Sequence, residues 1–185
     1  MTRLLLLILT AFLLGSCDKA ENEYTSRVCY LRLDNSVHND NTLRSAMTPG
    51  TNVFVTITVT YKSGGAQYFH FQDNQGSPAS ESVFNAIDKR TTVQLGMNNG
   101  LIVGFGNMNN QFNAYDLQCP NCFNPNAIPL KSYPLSINTA GIASCNSCKR
   151  TYNLHSGGNN IEGTGNKLTH YRASTTGPNG IMTVY

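Results

Sequence analysis

Two C-x-x-C pairs, Cys119/Cys122 and Cys145/Cys148, stand in the stretch Tyr115–Gly157 with 22 residues between them. Each pair can turn two sulfurs toward one point from a tight knuckle. Two knuckles that face each other offer four thiolates in a tetrahedron, a donor set that suits zinc or iron. Metal binding is therefore the first reading of these residues; two disulfides or free thiols come second, and a catalytic redox pair third. Cysteine arithmetic favours the first. The chain has six cysteines, and five remain once Cys17 is set aside for the reason given below. A metal site that takes four leaves Cys29 over, whereas disulfides cannot pair five.

The redox reading starts from Cys119-Pro120-Asn121-Cys122, which has the spacing of a thioredoxin-type motif. In such motifs the first cysteine is activated at a helix N-terminus. A helix starting at Cys122 would meet Pro125 in its first turn and Pro129 four residues later, and proline is tolerated only near a helix start. The segment Phe123–Ser144 reads instead as loop, short strand through Leu135 and Ile137, turn at Ala140-Gly141, and short strand. No βαβ unit surrounds the motif.

The residues around the knuckles carry a resemblance. A-Y-D-L-x-C-P-x-C, then G-I-x-x-C-x-x-C-x-x-x-Y-x-L-x-x-G, then L-x-x-Y-R and a terminal G-I-x-x-V are similar to the cluster-binding half of a Rieske-type domain over about Leu101–Tyr185. In that family two cysteine/histidine loops hold a [2Fe-2S] centre, and the second loop runs into an aromatic-x-leucine strand, a glycine turn and two final strands. The resemblance implies an all-β, Rieske-like antiparallel sandwich or barrel with a small, zinc-ribbon-like knuckle subdomain. The family pattern at the ligands is C-x-H and C-x-x-H. Here Cys122 and Cys148 stand at the histidine positions and the first loop is one residue longer.

That departure bears on the cofactor. A cluster held by Cys119, Cys122, Cys145 and Cys148 would have an all-cysteine ligand set, with a potential near −400 mV in place of the approximate −150 to +300 mV of Rieske centres. So low a potential suits an oxidising envelope poorly. The n-region Met1-Thr2-Arg3 also lacks the twin arginine expected for export of a folded, cofactor-loaded protein. Zinc in the four-cysteine site is the favoured cofactor, and a [2Fe-2S] cluster is the alternative.

Met1–Ser16 has one basic residue followed by Leu4–Leu14, a run that is apolar except for Thr10. That is a signal-peptide core, too short to span a bilayer. Leu14-Gly15-Ser16-Cys17 resembles a bacterial lipobox, which makes Cys17 the lipidation site; an ordinary secretory signal followed by a stray cysteine is the alternative. Three acyl chains exceed the two signals that stable anchoring needs. The expected organisation is a lipoprotein signal peptide over residues 1–16, a lipidated polar tether over 17–26, and a domain over 27–185 with its knuckle subdomain at about 115–157. The expected location is a bacterial cell envelope, at the outer membrane, its periplasmic face or the cell surface.

Taking the 16 signal residues from 185 leaves 169, enough for one domain with a real core or two subdomains sharing one. Only Arg3 is lost from the charges, leaving 12 basic against 10 acidic residues. A balance of +2 gives no warrant for nucleic-acid binding. The usage is rich in Asn, Thr, Ser and Gly, with no Trp, which suits an extracytoplasmic β protein with many turns.

Asn52–Tyr61 is the clearest strand, with Val53, Val55, Ile57 and Val59 on one face and Phe54, Thr56, Thr58 and Thr60 on a half-wet one. Lys62–Ala66 has turn chemistry and Gln67–Phe71 returns as the second arm of a hairpin. His70, between Phe69 and Phe71, reads as packing or surface. Ser77–Lys89 reads as loop, Thr91–Leu95 as a strand, and Asn98-Asn99-Gly100 as a tight hairpin turn into a strand over Leu101–Gly106. Asn107–Asn113 reads as a polar loop. Cys29 alternates with apolar neighbours and reads as a buried, inert thiol. Thr151–Leu154, Leu168–Ala173 and Ile181–Tyr185 read as strands, with a glycine-rich turn at Ser156–Gly165. Lys149 and Arg150 read either as cations that offset the thiolates or as a solvated pair, and His155 as an exposed group or a neighbour of the ligands.

No Ser/His/Asp triad, paired catalytic carboxylates, phosphate loop or nucleotide fingerprint is recognisable, so no catalytic residue is assigned and an electron-transfer component is the nearest approach to an enzyme. Three functions remain. One is a membrane-anchored binding or accessory protein with structural zinc and an envelope protein as partner. Another is an iron-sulfur electron-transfer protein, and the last a metal-free, disulfide-bonded surface module.

Overall fold

The computed structural model describes residues 23–185 apart from Asn109 and Gly163. The expected signal segment, Cys17 and most of the tether lie outside the described residues. The described chain is mostly β, in three antiparallel sheets. The largest has six strands in the order β11-β6-β5-β2-β3-β4, formed by β2 (Phe54–Tyr61), β3 (Gln67–Asp73), β4 (Ser80–Val83), β5 (Leu101–Phe105), β6 (Phe112–Asp116) and β11 (His170–Tyr171). A three-stranded sheet, β1-β13-β12, joins β1 (Leu31–Asp34), β12 (Ala173–Thr175) and β13 (Ile181–Val184). A four-stranded sheet, β10-β9-β8-β7, joins β7 (Leu135–Ile137), β8 (Ile142–Cys145), β9 (Thr151–Asn153) and β10 (Asn159–Asn160). Among the described residues no helix is long and apolar enough to cross a membrane.

The alternation along β2 sets the layering, because successive side chains point to opposite faces. Val55 and Ile57 join Phe69, Phe71, Leu101, Val103 and Ala114 in one core, closed by Leu31, Leu33, Met182 and Val184 of the three-stranded sheet. Phe54, from the other face, joins Ile102 and Tyr115 in a second core with Leu135, Ala143, Tyr152 and Leu154. The face expected to be half-wet is therefore dry at its Phe54 end. Each such buried Leu, Ile, Val or Phe contributes about 1.5–3 kcal/mol of transfer free energy.

Two short helices, α1 (Asn35–His38) and α2 (Asn41–Ala46), follow β1 and were not expected. Their caps explain them. Asp34 accepts from the Ser36 N–H at 3.0 Å and Asp40 from the Leu43 N–H at 2.8 Å, satisfying donors at each first turn. The buried Asn35 amide donates to the carbonyls of Asp40 and Pro178, fastening the pair beside the β12–β13 turn.

The β2–β3 hairpin is as expected, with Ile57 opposite Phe71 and Tyr61 opposite Gln67. Ser77–Lys89, expected as loop, contains β4, which pairs along β3 from Tyr68↔Val83 to Phe71↔Ser80. An edge strand of Ser and Glu is held by backbone bonds and by the Lys62–Glu81 ion pair, so it carries little hydrophobic periodicity. Thr91–Leu95 does not form the expected hairpin arm; Gln94 makes a single bridge to Tyr30. Asn99 does take a left-handed φ of 52°, but its amide bonds the Val59 N–H and carbonyl at 3.1 and 2.9 Å, covering β2 beyond the end of β5. Phe112 and Asn113 belong to β6 and not to the polar loop before it. Leu168–Ala173 is divided at Arg172, where the chain leaves β11 in one sheet and enters β12 in another.

Candidate metal centre

Cys119 follows β6 and Cys145 ends β8, so both knuckles hang from the second core. The first knuckle is pinned by the Cys119 N–H donating to the Tyr133 carbonyl at 2.9 Å, and by the Cys122 and Phe123 N–H groups turning back to the Cys119 carbonyl at 3.2 and 2.9 Å. Gln118, itself buried, accepts the Tyr133 N–H at 2.6 Å and holds the returning strand in place. The second knuckle closes the β8–β9 turn through Cys145 N–H to Arg150 carbonyl at 3.0 Å and Lys149 N–H to Cys145 carbonyl at 2.9 Å. Lys149 takes the left-handed φ of 62° that this turn requires.

The knuckles bring all four sulfurs within 4.8 Å of one another. Cys119 and Cys148 Sγ are 3.7 Å apart, and Cys145 and Cys122 Sγ are 3.8 Å apart. A zinc–sulfur bond of about 2.3 Å gives a tetrahedral edge of about 3.8 Å. The same separations are far longer than a disulfide bond of about 2.05 Å. Cys119 and Cys145 are buried while Cys122 and Cys148 are half-buried, so the group opens to one side. The arrangement can hold a single metal ion. No helix starts at Cys122, where a turn leads into the loop before β7, in keeping with the prolines there.

The thiols differ in acidity. Burial pushes Cys119 up, against hydrogen bonds from Tyr152 and the Asn121 N–H. Burial also raises Cys122, reinforced by the neighbouring thiols, to about 12. Burial opposes ionisation of Cys148 too, but hydrogen bonds from the Arg150 N–H and guanidinium, with those of Cys122 and Cys145, outweigh it and hold this thiol at about 6. Ligation requires thiolates, so a metal entering here would displace protons from Cys119 and Cys122. Arg150 thus lies against Cys148 while staying open to solvent, and Lys149 is exposed beside it.

Tyr152 is the neighbour that sequence reading missed. Its hydroxyl lies 3.4 Å from Cys119 Sγ and accepts from Asn121 Nδ2 at 2.9 Å. Asn121 also donates to the Asn166 carbonyl and accepts its N–H, tying the loop after β10 to the first knuckle. The signal available was the position of Tyr152 within the strand that leaves the second knuckle, four residues after Cys148. His155 stands apart from the sulfur cluster. Its ring meets Phe54 edge-on at 5.0 Å, its Nδ1 accepts the Asn107 N–H, and it fills the space beside Gly141, where any Cβ would lie 2.4 Å from Nε2. His70 faces Glu81 on the sheet surface. Cys29 is buried, donates weakly to the Gln94 carbonyl at 3.3 Å, and is pushed by burial up to about 11, as an inert thiol should be.

His170 and Asp116 are buried polar groups that the sequence did not announce. The His170 ring lies between Tyr24 and Tyr115, with centroids at 4.8 and 4.7 Å, and burial lowers it to about 4. Asp116 accepts from Tyr171 Oη and from the N–H groups of Met97 and Gln118, at 2.7, 2.7 and 2.8 Å. In comparisons with protein-family models, curated proteins and solved structures, none matched the chain.

Proposed function

We propose that this protein is a membrane-anchored extracytoplasmic lipoprotein whose four cysteines hold structural zinc, and that it acts in binding or as an accessory component in the envelope. The observation that carries the metal assignment is the mutual approach of four sulfurs within 4.8 Å, with two contacts at the edge length of a single tetrathiolate. A [2Fe-2S] cluster divides its four ligands between two irons bridged by sulfide, which needs the two thiol pairs held farther apart than one ion does. Any two-and-two division of these sulfurs leaves the pairs within 4.8 Å. The anchor rests on the apolar run Leu4–Leu14 and the lipobox at Leu14–Cys17. The Rieske-like framework rests on the motif order around the knuckles, and the second knuckle's continuation into β9, a glycine turn and closing strands is in keeping with it.

Zinc here would be held by Cys119, Cys122, Cys145 and Cys148 and would supply cohesion between two loops that lack a core of their own. The chain's own residues prepare the site. Arg150 favours the Cys148 thiolate and lies where the formal −2 of a tetrathiolate zinc develops, while Tyr152 and Asn121 fix Cys119. Mass spectrometry of the native protein under non-denaturing conditions tests the reading: one zinc per chain supports it, and an unmetallated or iron-bearing mass opposes it.

A further inference from the structure

The loop between the first knuckle and β7 presents apolar side chains to solvent. Ile128 is 98% exposed and Leu130 51%, with Pro129 exposed between them. At its base, Pro125 lines one surface cleft together with Ser26, Arg27, Val28, Gln94 and Met97, and Val28 is itself 66% exposed. The base of this apolar tip therefore lies beside Ser26–Val28, just after the N-terminal segment docks through Tyr24 on His170 and the Thr25 N–H on the His170 carbonyl at 2.8 Å.

The length of the tether decides what that tip faces. On the reading of Cys17 as a lipid anchor, nine residue steps separate the acylated cysteine from Ser26, a span of roughly 30 Å even when fully extended. The Ser26 side of the domain cannot move far from the bilayer. Arg27 lines the cleft and Lys131 follows Leu130 in the chain, its ammonium over the Tyr133 ring at 5.4 Å; among the described residues no carboxylate lines this cleft, while Glu23 lines the neighbouring one that shares Ser26. Apolar residues beside cations match the boundary between acyl chains and anionic headgroups.

We infer that the Ile128-Pro129-Leu130 tip inserts into the anionic lipid surface to which the N-terminus is tethered, giving the domain a second membrane contact and a fixed orientation with the knuckles toward the bilayer. The anchor alone would leave the domain free to rotate about its tether. The tip removes that freedom.

The chain has no tryptophan, so Ile128→Trp and Tyr61→Trp each place one reporter, the first on the tip and the second on the exposed end of β2. Full-length protein extracted from membranes is reconstituted into phosphatidylcholine–phosphatidylglycerol vesicles with or without acyl-brominated lipid. The expected result is blue-shifted emission quenched at least twofold by brominated lipid for Ile128→Trp, and no change for Tyr61→Trp. Retention on vesicles with both signals unshifted and unquenched overturns the tip contact alone. A shift at Ile128→Trp without lipid quenching assigns the tip to a protein or a second copy and overturns the lipid assignment. An unmodified N-terminus by intact mass, with no retention, overturns the anchor reading and the tip contact together.

Discussion

The hydroxyl of Tyr152 lies 3.4 Å from Cys119 Sγ and joins a strand of the second core to the first knuckle. Hydrogen bonds of this kind orient a ligand before the metal arrives, and their loss commonly costs 10–100-fold in metal affinity. Tyr152→Phe keeps the ring in the core and removes only the hydroxyl. We expect about a tenfold loss of zinc affinity in chelator competition, with a stability cost of about 1 kcal/mol in the metal-free protein. Unchanged affinity would show that the contact is incidental.

Cys119→Ser, Cys122→Ser, Cys145→Ser and Cys148→Ser should each unfold the C-terminal half far more than Cys29→Ser does. Zinc binding to knuckles of this kind is worth on the order of 10 kcal/mol, whereas disulfides give roughly 2–4 kcal/mol each. Cys29 only packs. Thermal melts of the five variants test the contrast, and equal melting temperatures would refute it.

His170 makes stability depend on pH. Burial lowers its folded pKa to about 4 from the ordinary 6.5, with Glu23 opposing and Lys167 assisting. The unfolded chain therefore binds the extra proton between those values. Stability is full above about pH 6.5, falls as the pH drops toward 4, and levels below it, losing at most about 3 kcal/mol from this group. From pH 7 to pH 4 the urea midpoint of wild type should fall relative to that of His170→Phe, whichever is the higher at pH 7. Parallel curves would contradict this account of His170.

Cys17→Ser should release the protein from membranes without unfolding it, because the change lies in the tether and outside the domain. Fractionation checks the release and circular dichroism the fold. Variant protein that still sediments with membranes would remove the anchor from the account.

The four-cysteine cluster was legible because C-x-x-C spacing is a local property that each knuckle expresses by itself. So were β2, β3 and β5, whose periodicity reflects a core on at least one face. What escaped was set by partners distant in sequence. β4 has almost no apolar pattern because β3 and a salt bridge hold it, and Asn98-Asn99-Gly100 looked like a hairpin because Asn99 does adopt the required φ while its amide caps another strand. Arg150 and Tyr152 follow the second knuckle closely, yet nothing local says that Arg150 turns back on Cys148 or that Tyr152 reaches across to Cys119.

The central claim is one redox-inert ion on four cysteines, and the metal content of protein purified anaerobically from its native envelope tests it most directly. The account predicts one equivalent of zinc per chain, a colourless solution and no electron paramagnetic resonance signal after reduction. Stoichiometric iron with a signal from a reduced cluster would contradict it and put electron transfer first.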